Sequence, residues 1–411
     1  MRVAFWGNFG TLNLGNECTL AAAVANVRTH LPDAELVAIC RVPEDTARRH
    51  GIAAIAISGA GNAGKTRRCP RPFQMLCHVV RELRAWTRAL RELGSIDVVL
   101  ITGCGTLSDH GEGTLGFPYE LFKWSLATRL RGKKLLYVSV GAESIARPLA
   151  RLFLKAALRL ANYRCYRDRH SANLLQAIGF DTGHDVVRPD LAFSLPVGIP
   201  VTDVADGAPD AAARRRGVAV GLYNYRGRGQ GGPENAAAYQ GYLDSLASLI
   251  LWLLGHGYLV RVIIGDLAYD EDVRLDLRAV LAARGMELDD PWFIDAPATS
   301  FEQLLEQLAV IDFVIASRYH NVILALLLEK PVLSISYEAK NEALMIGMGL
   351  GAYCQTLDDF RVERLLQQFE ELERNEDNLR LMISERAAAH RAALEVQYDV
   401  IVSNAWQPPR R

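Results

Sequence analysis

The chain has 411 residues, half of them hydrophobic and 23% charged, with a formal net charge of −1. That length predicts two or three domains, with a core large enough to need no disulfide or metal staple. The composition excludes collagen-like, disordered and small secreted classes.

Short β-branched runs alternate with helical patterns from end to end. In chain order the strand-like runs are 3–6, 35–40, 53–57, 97–102, 134–139 and 163–166, and helical patterns occupy 17–30, 73–93, 119–131 and 149–160. This alternation predicts βαβ units and a parallel sheet with helices on both faces. Residues 196–217, rich in Pro, Gly, Ala and Asp and carrying Arg214-Arg215-Arg216, read as an interdomain linker. The alternation then restarts, with strands at 218–222, 258–264, 312–316 and 332–335 and helices at 236–254, 271–284, 301–309 and 322–328. Two long helical patterns, 358–374 and 377–395, follow. The expectation is two doubly wound, Rossmann-like α/β domains, 1–195 and 218–411, facing each other across a cleft. Ligands in such sheets bind beyond the carboxyl ends of the strands.

The near-zero net charge hides an asymmetry. Residues 1–195 hold 26 Lys+Arg against 16 Asp+Glu, and the remainder holds 20 against 31. A basic half favours anionic ligands, while a solvated Arg-rich helix surface is the plainer alternative. No nucleic-acid reader motif accompanies the charge, so no nucleic-acid partner is expected. The seven cysteines show no CxxC pair and no zinc-type Cys/His spacing, which fits a reducing compartment and predicts no metal centre. Residues 1–7 read as a short buried strand rather than a leader, and the apolar stretch 246–264 is interrupted by Gly255-His256-Gly257. A cytoplasmic protein is expected.

Several segments carry candidate chemistry. Residues 59–66, GAGNAGKT, satisfy the P-loop pattern, but Pro70 and Pro72 would interrupt the helix that a phosphate cradle needs. A mobile basic loop fits better. The first turn, 7–17, is not G-x-G-x-x-G, and the second strand ends in Arg41 rather than a ribose-binding acid, so no nicotinamide cofactor is expected. Beyond the fourth strand come Gly103-Cys104-Gly105-Thr106-Leu107-Ser108-Asp109. Small residues there let a substrate approach backbone, and Asp109 is a candidate general base, with helix capping as the alternative. Cys104 reads as a packing residue, and Asp109, His110 and Glu112 make a poor metal site. Arg318-Tyr319-His320 close a buried strand and open an apolar helix. Unpaired N–H groups at that helix start favour an anion, Arg318 adds a planar fork, and His320 adds a proton donor near neutral pH. Lys340 opens a further helix toward the same cleft.

At these residues the chain resembles the polysaccharide pyruvyl transferase family. The family's G-N-L-G-D-E turn reads Asn13-Leu14-Gly15-Asn16-Glu17, and its G-G-G-S-L-x-x-D strand end reads 103–109. Its R-D-x-x-S reads Arg167-Asp168-Arg169-His170-Ser171, and its D-P-A-F sense reads Asp190-Leu191-Ala192-Phe193. Its R-L-H segment reads Arg318-Tyr319-His320 with Pro331-Val332 following, and its S-Y-D-x-K reads Ser336-Tyr337-Glu338-Ala339-Lys340. Asn16 stands where the family has an acid, Cys104 where it has Gly, Tyr319 where it has Leu and Glu338 where it has Asp.

The resemblance implies a GT-B-like fold and transfer of a pyruvyl group from phosphoenolpyruvate to sugar hydroxyls of a cell-surface polysaccharide or its precursor, forming a ketal. Arg318, Tyr319 and Lys340 would hold the donor with Arg226 as a second clamp, and Gly15, Asn16, Glu17 and Gly105 would line the site. His320 and Asp109 would be the catalytic pair. Phosphoenolpyruvate is then a co-substrate, and no cofactor is required. A sugar or lipid-linked glycan is the acceptor, which allows peripheral contact with an anionic inner membrane face. The alternatives are a GT-B glycosyltransferase using a nucleotide sugar and a non-catalytic anion-binding protein.

Overall fold

A computed structural model describes residues 1–58, 74–103, 105–109, 115–196, 215–225 and 233–405. Outside them lie the P-loop-like segment 59–66, Cys104, His110, Glu112, Arg226 and most of the expected linker.

The chain divides into two compact units: 1–11, 19–194 and 393–411 form the first, and 12–18 with 195–392 form the second. This differs from the contiguous domains expected from sequence in two places. Residues 12–18 belong to the second unit, and the end of the last helix returns to the first.

The first unit carries strands β1 (Arg2–Trp6), β2 (Glu35–Cys40), β3 (Ala53–Ala56), β4 (Val98–Ile101), β5 (Lys134–Val140), β6 (Tyr163–Tyr166) and β7 (Val186–Val187). They form one sheet in the order β3-β2-β1-β4-β5-β6-β7, parallel throughout among the described residues. Its helices are α1 (Leu14–His30), whose first turn lies in the second unit, α2 (Pro43–His50), α3 (Gln74–Glu92), α4 (Phe117–Leu130), α5 (Pro148–Arg159) and α6 (Arg169–Ala177). Val3, Ala4, Phe5 and Trp6 are all fully buried, as strands covered on both faces must be. Helix α2 was not foreseen, although Pro43 opens it and Gly51 ends it in the left-handed conformation.

The second unit repeats the plan with β8 (Gly217–Gly221), β9 (Leu259–Ile263), β10 (Phe293–Ile294), β11 (Phe313–Ala316), β12 (Val332–Ser336) and β13 (Cys354–Thr356). Its helices are α7 (Pro233–Gly255), α8 (Glu271–Ala283), α9 (Phe301–Ala309), α10 (Tyr319–Leu327), α11 (Ala339–Gly347), α12 (Val362–Arg374) and α13 (Glu376–Ala405), the last ending in the first unit. The parallel sheet runs β10-β9-β8-β11-β12-β13. Strand order therefore reverses between β8 and β11, and ligands of doubly wound sheets bind beyond the carboxyl ends at such a reversal.

Among the described residues no helix is long and apolar enough to cross a membrane. Cys18, Cys40, Cys165 and Cys354 are in no disulfide, whereas Cys77 is disulfide-bonded, which the reading of the cysteines did not foresee.

Candidate active site

The carboxyl ends of β8, β9 and β11 converge on one buried carboxylate, Asp270. It is fully buried and accepts backbone N–H bonds from Asn224 (3.1 Å), Gly265 (3.3 Å) and Asp266 (3.0 Å). Arg318, the residue capping the start of α10, closes on it with Nε to Oδ2 at 2.8 Å and Nη2 to Oδ1 at 2.5 Å. A bidentate pair this buried holds the guanidinium in one orientation, and Asp270 pushes the Arg318 pKa up against an opposing desolvation that is the larger single effect. The sequence reading offered the whole fork to a ligand. Instead Nε and Nη2 are committed to Asp270, leaving Nη1 without a hydrogen-bond partner among the described residues.

The guanidinium also lies 4.7 Å from the Tyr223 ring centroid. Tyr223 stacks on Tyr337 at 4.0 Å with the planes 12° apart, and Lys340 Nζ is 5.3 Å from the Tyr337 centroid. Two cations thus flank a pair of stacked rings, each attracted to a ring face. Lys340 is buried and its Nζ meets Glu338 Oε2 at 2.5 Å. It is held rather than offered outward, contrary to the sequence expectation.

The early motif 13–17 belongs to this site. Leu14 N–H donates to Gly265 O (3.0 Å), Leu267 N–H donates to Leu12 O (3.0 Å), and Asn13 Nδ2 donates to Asp266 Oδ2 (2.8 Å). These bonds lay the start of α1 against the turn after β9. Gly15 then faces His320: a Cβ there would collide with the imidazole Nδ1 and Cγ. Glycine is needed at 15 because the histidine ring occupies the space of its side chain. Tyr319 is buried, with its ring edge-on to His320 at 5.3 Å. Asn16 and Glu17, in the same helical turn, are buried as well.

Besides Asp270, two more residues here were not singled out from sequence. Asp266 is buried, and desolvation, the largest influence, raises its carboxyl above the usual value despite opposing effects of Arg318 and Asn13. Asn321, in the first turn of α10, is 1% exposed, and neither carboxamide atom has a hydrogen-bond partner among the described residues. Its Oδ1 would lie 2.8 Å from a Cβ at Gly265, so the amide sits where β8 and β9 end. Buried polar groups without partners are uncommon and concentrate at functional positions. A signal existed for Asp266, a Gly-Asp step ending a strand of the second domain; Asn321 had only its place after Arg318 and His320.

The other site candidates lie in the first unit. Asp109 is buried, its Oδ2 accepts the Arg147 N–H at 2.7 Å, and its carbonyl accepts from Arg147 Nη1 at 2.9 Å. The carboxylate therefore ties the loop after β4 to the start of α5, the capping role that the sequence left as the alternative to a general base; among the described residues nothing donates to Oδ1. At Gly105, φ is +62° and a Cβ would lie 2.8 Å from Glu143 Oε1, so the glycine admits that carboxylate to the backbone. Arg167 is buried and lies 3.2 Å from Asp168 and 3.5 Å from Asp190. Asp168 accepts the Ser171 N–H to cap α6, and Ser171 Oγ accepts the Ala142 N–H. The R-D-x-x-S motif is scaffolding for the loops. Among the described residues no His, Cys, Asp and Glu group is placed to hold a metal ion.

The folds of solved proteins agree with this architecture. A UDP-GlcNAc 2-epimerase from Neisseria meningitidis superposes with a TM-score of 0.61 at 13% identity, covering 98% of this chain and 100% of its own. The Anabaena protein HepE in complex with UDP-glucose gives 0.60 at 12%, covering 99% of each chain. A glycosyltransferase from Rickettsia africae gives 0.57 at 10%, covering 98% of this chain and 99% of its own. The chain shares the GT-B fold of these proteins. No curated protein sequence matches significantly. The family model for polysaccharide pyruvyl transferase matches residues 13–339, beginning at Asn13 and ending at the first residue of α11. With the start of α1, the Arg318–His320 turn and the Tyr337–Lys340 stack all within or beside that span, the chain belongs to the polysaccharide pyruvyl transferase family.

Proposed function

We propose that the chain transfers a pyruvyl group from phosphoenolpyruvate to two hydroxyls of a sugar in a cell-surface polysaccharide or its precursor, forming a ketal and releasing phosphate. The observation that carries this reading is the Arg318–Asp270 pair beside His320 at the start of α10. Phosphoenolpyruvate brings a carboxylate and a phosphate. Arg318 Nη1 and the first N–H groups of α10 offer donors to one of them, and the helix dipole adds to the attraction. Asn321 supplies a neutral amide at the same strand ends, and Arg226 is the second clamp.

Ketal formation requires a proton on the methylene carbon, which leaves positive charge on the adjacent carbon for a sugar hydroxyl to attack. A second hydroxyl then displaces phosphate. Asp266, whose carboxyl burial holds above its ordinary value, and His320 are the proton-transfer candidates beside the donor. Asp109 is the candidate base for the acceptor, through Oδ1. The enol phosphate itself carries the transfer potential, so the scheme calls on no metal or redox cofactor. The purified protein incubated with phosphoenolpyruvate and a panel of sugar acceptors should release phosphate and add the pyruvyl mass to one acceptor. Release of a nucleotide from a UDP-sugar, with none of phosphate from phosphoenolpyruvate, would assign it to nucleotide-sugar transfer instead.

A further inference from the structure

We infer that the α3–α4–α5 face of the first unit docks on an anionic phospholipid surface. Helices α3, α4 and α5 form one layer: Trp86 of α3 donates to the Tyr119 hydroxyl of α4 at 3.0 Å, and Phe153 of α5 packs on Tyr119 and Phe122 at 5.3 and 5.4 Å. Each helix leads into the next parallel strand, so all three begin at the carboxyl edge of the sheet.

Their beginnings carry large apolar side chains in water. Val79, Val80 and Leu83 on α3 are 45, 37 and 61% exposed, Leu115 before α4 is 62% exposed, and Leu149 and Leu152 on α5 are 46 and 55% exposed. Scattered exposed leucines need no explanation; a set gathered at one edge of one layer does. Cations surround it. Arg147, Arg151 and Lys155 all donate to backbone carbonyls, and with Arg81 and Arg84 they form no ion pair among the described residues. Helix α5 contains no acidic residue. The acids Glu82 and Glu120 between α3 and α4 turn inward to the buried Lys123, at 3.1 and 2.9 Å.

Exposed leucine and valine ringed by uncompensated arginine is the chemistry of a surface that seats in the headgroup region of anionic lipid. The same charge argues against a second copy as the occupant, because a twofold contact would set arginines against arginines. The Asp109 loop opens at this edge, so docking here would present the first unit's loops to an acceptor carried on lipid. The docking inference itself does not depend on the donor chemistry.

The test is co-sedimentation of the full chain with phosphatidylcholine vesicles, with and without phosphatidylglycerol, at low and high salt. Binding should be at least ~10-fold tighter to the anionic vesicles and should weaken as salt rises. Leu83→Ser/Leu152→Ser and Arg81→Glu/Arg84→Glu should each lower that binding several-fold with unchanged circular dichroism, since all four side chains lie at the surface. Equal binding to both vesicle types, or undiminished binding by both variants, overturns the inference. So does a dimer in solution that the leucine variant dissociates, because a second copy would then cover the face.

Discussion

Asn13 and Asp266 stand 253 residues apart and meet at 2.8 Å, side chain to side chain. The bond fastens the first turn of α1 to the turn after β9, and Gly15 is thereby brought against His320. A carboxyl raised by burial has a definite signature in stability. The native state holds the proton more tightly than the unfolded chain, so its contribution is fully present below the ordinary value of 3.8 and is lost as pH rises through the raised value. Asp266→Asn removes that titration. Urea midpoints of parent and variant measured across mildly acidic to neutral pH should diverge in the variant's favour as pH rises, while phosphate release by the variant falls. Parallel stability curves would mean that Asp266 titrates normally.

Arg318 serves structure and ligand together. Arg318→Ala leaves the buried Asp270 facing only backbone N–H groups, and breaking a buried pair costs about 3–5 kcal/mol; three N–H bonds already on Asp270 and a guanidinium that is 17% exposed place the cost toward the lower end. Arg318→Lys keeps the charge, loses the fork and should remain folded. Its donor affinity or turnover should drop at least ~10-fold, the value of one charge-assisted hydrogen bond. Thermal denaturation and donor titration of both variants separate the two effects, and parental donor affinity in a folded Arg318→Lys would move the donor site elsewhere.

Gly15 and His320 should behave as one unit. Gly15→Ala places a methyl in the imidazole's position, so it should cost activity although alanine favours helix more than glycine does. His320→Ala should lower kcat more than it raises KM if the ring transfers a proton, and change both alike if it only positions the donor. Combining the two should give much less than the product of the single effects, because the steric conflict disappears with the ring. Multiplicative losses would show that the glycine acts independently.

For Asp109 the two roles come apart by choice of variant. Asp109→Asn retains an oxygen for the Arg147 N–H but cannot take a proton, and general-base loss costs ~10²–10⁴-fold in rate. Asp109→Ala removes the bond as well and should lower stability by about 1 kcal/mol, as for a lost helix-start partner. Turnover by Asp109→Asn within a few-fold of the parent would leave this carboxylate its tie to α5 alone.

Much of the fold was legible in the sequence because long periodic segments declare themselves. The runs at 163–166 and 301–309 are β6 and α9 to the residue. The short strands β7, β10 and β13, of two or three residues, are too brief to show a period, and the register of their neighbours creates them. The position of the candidate residues was legible where one motif joins a strand to a helix, as at Arg318 and His320, which do stand at the start of α10 beyond β11. Asp270 was not, because as a sequence feature it is an acid before a helix; its meaning comes from Arg318, 48 residues later. For Lys340 the partner was close at hand, Glu338 two residues earlier, but the sequence does not say that the two side chains turn toward each other.

Helix α13 begins in the second unit and ends in the first, and α1 does the same, its first turn belonging to the second unit and the rest to the first. Cutting the chain near residue 195 would therefore release neither unit whole. A fragment 1–195 would lack the helix end whose Tyr398 stacks on His30 at 5.5 Å and whose Gln397 accepts from Ser139. Its counterpart would lack the 12–18 segment that completes the turn after β9. Each piece holds a part of the other's interior, so the two halves should associate when co-expressed and misfold when made alone, and any permuted version must keep both crossings intact.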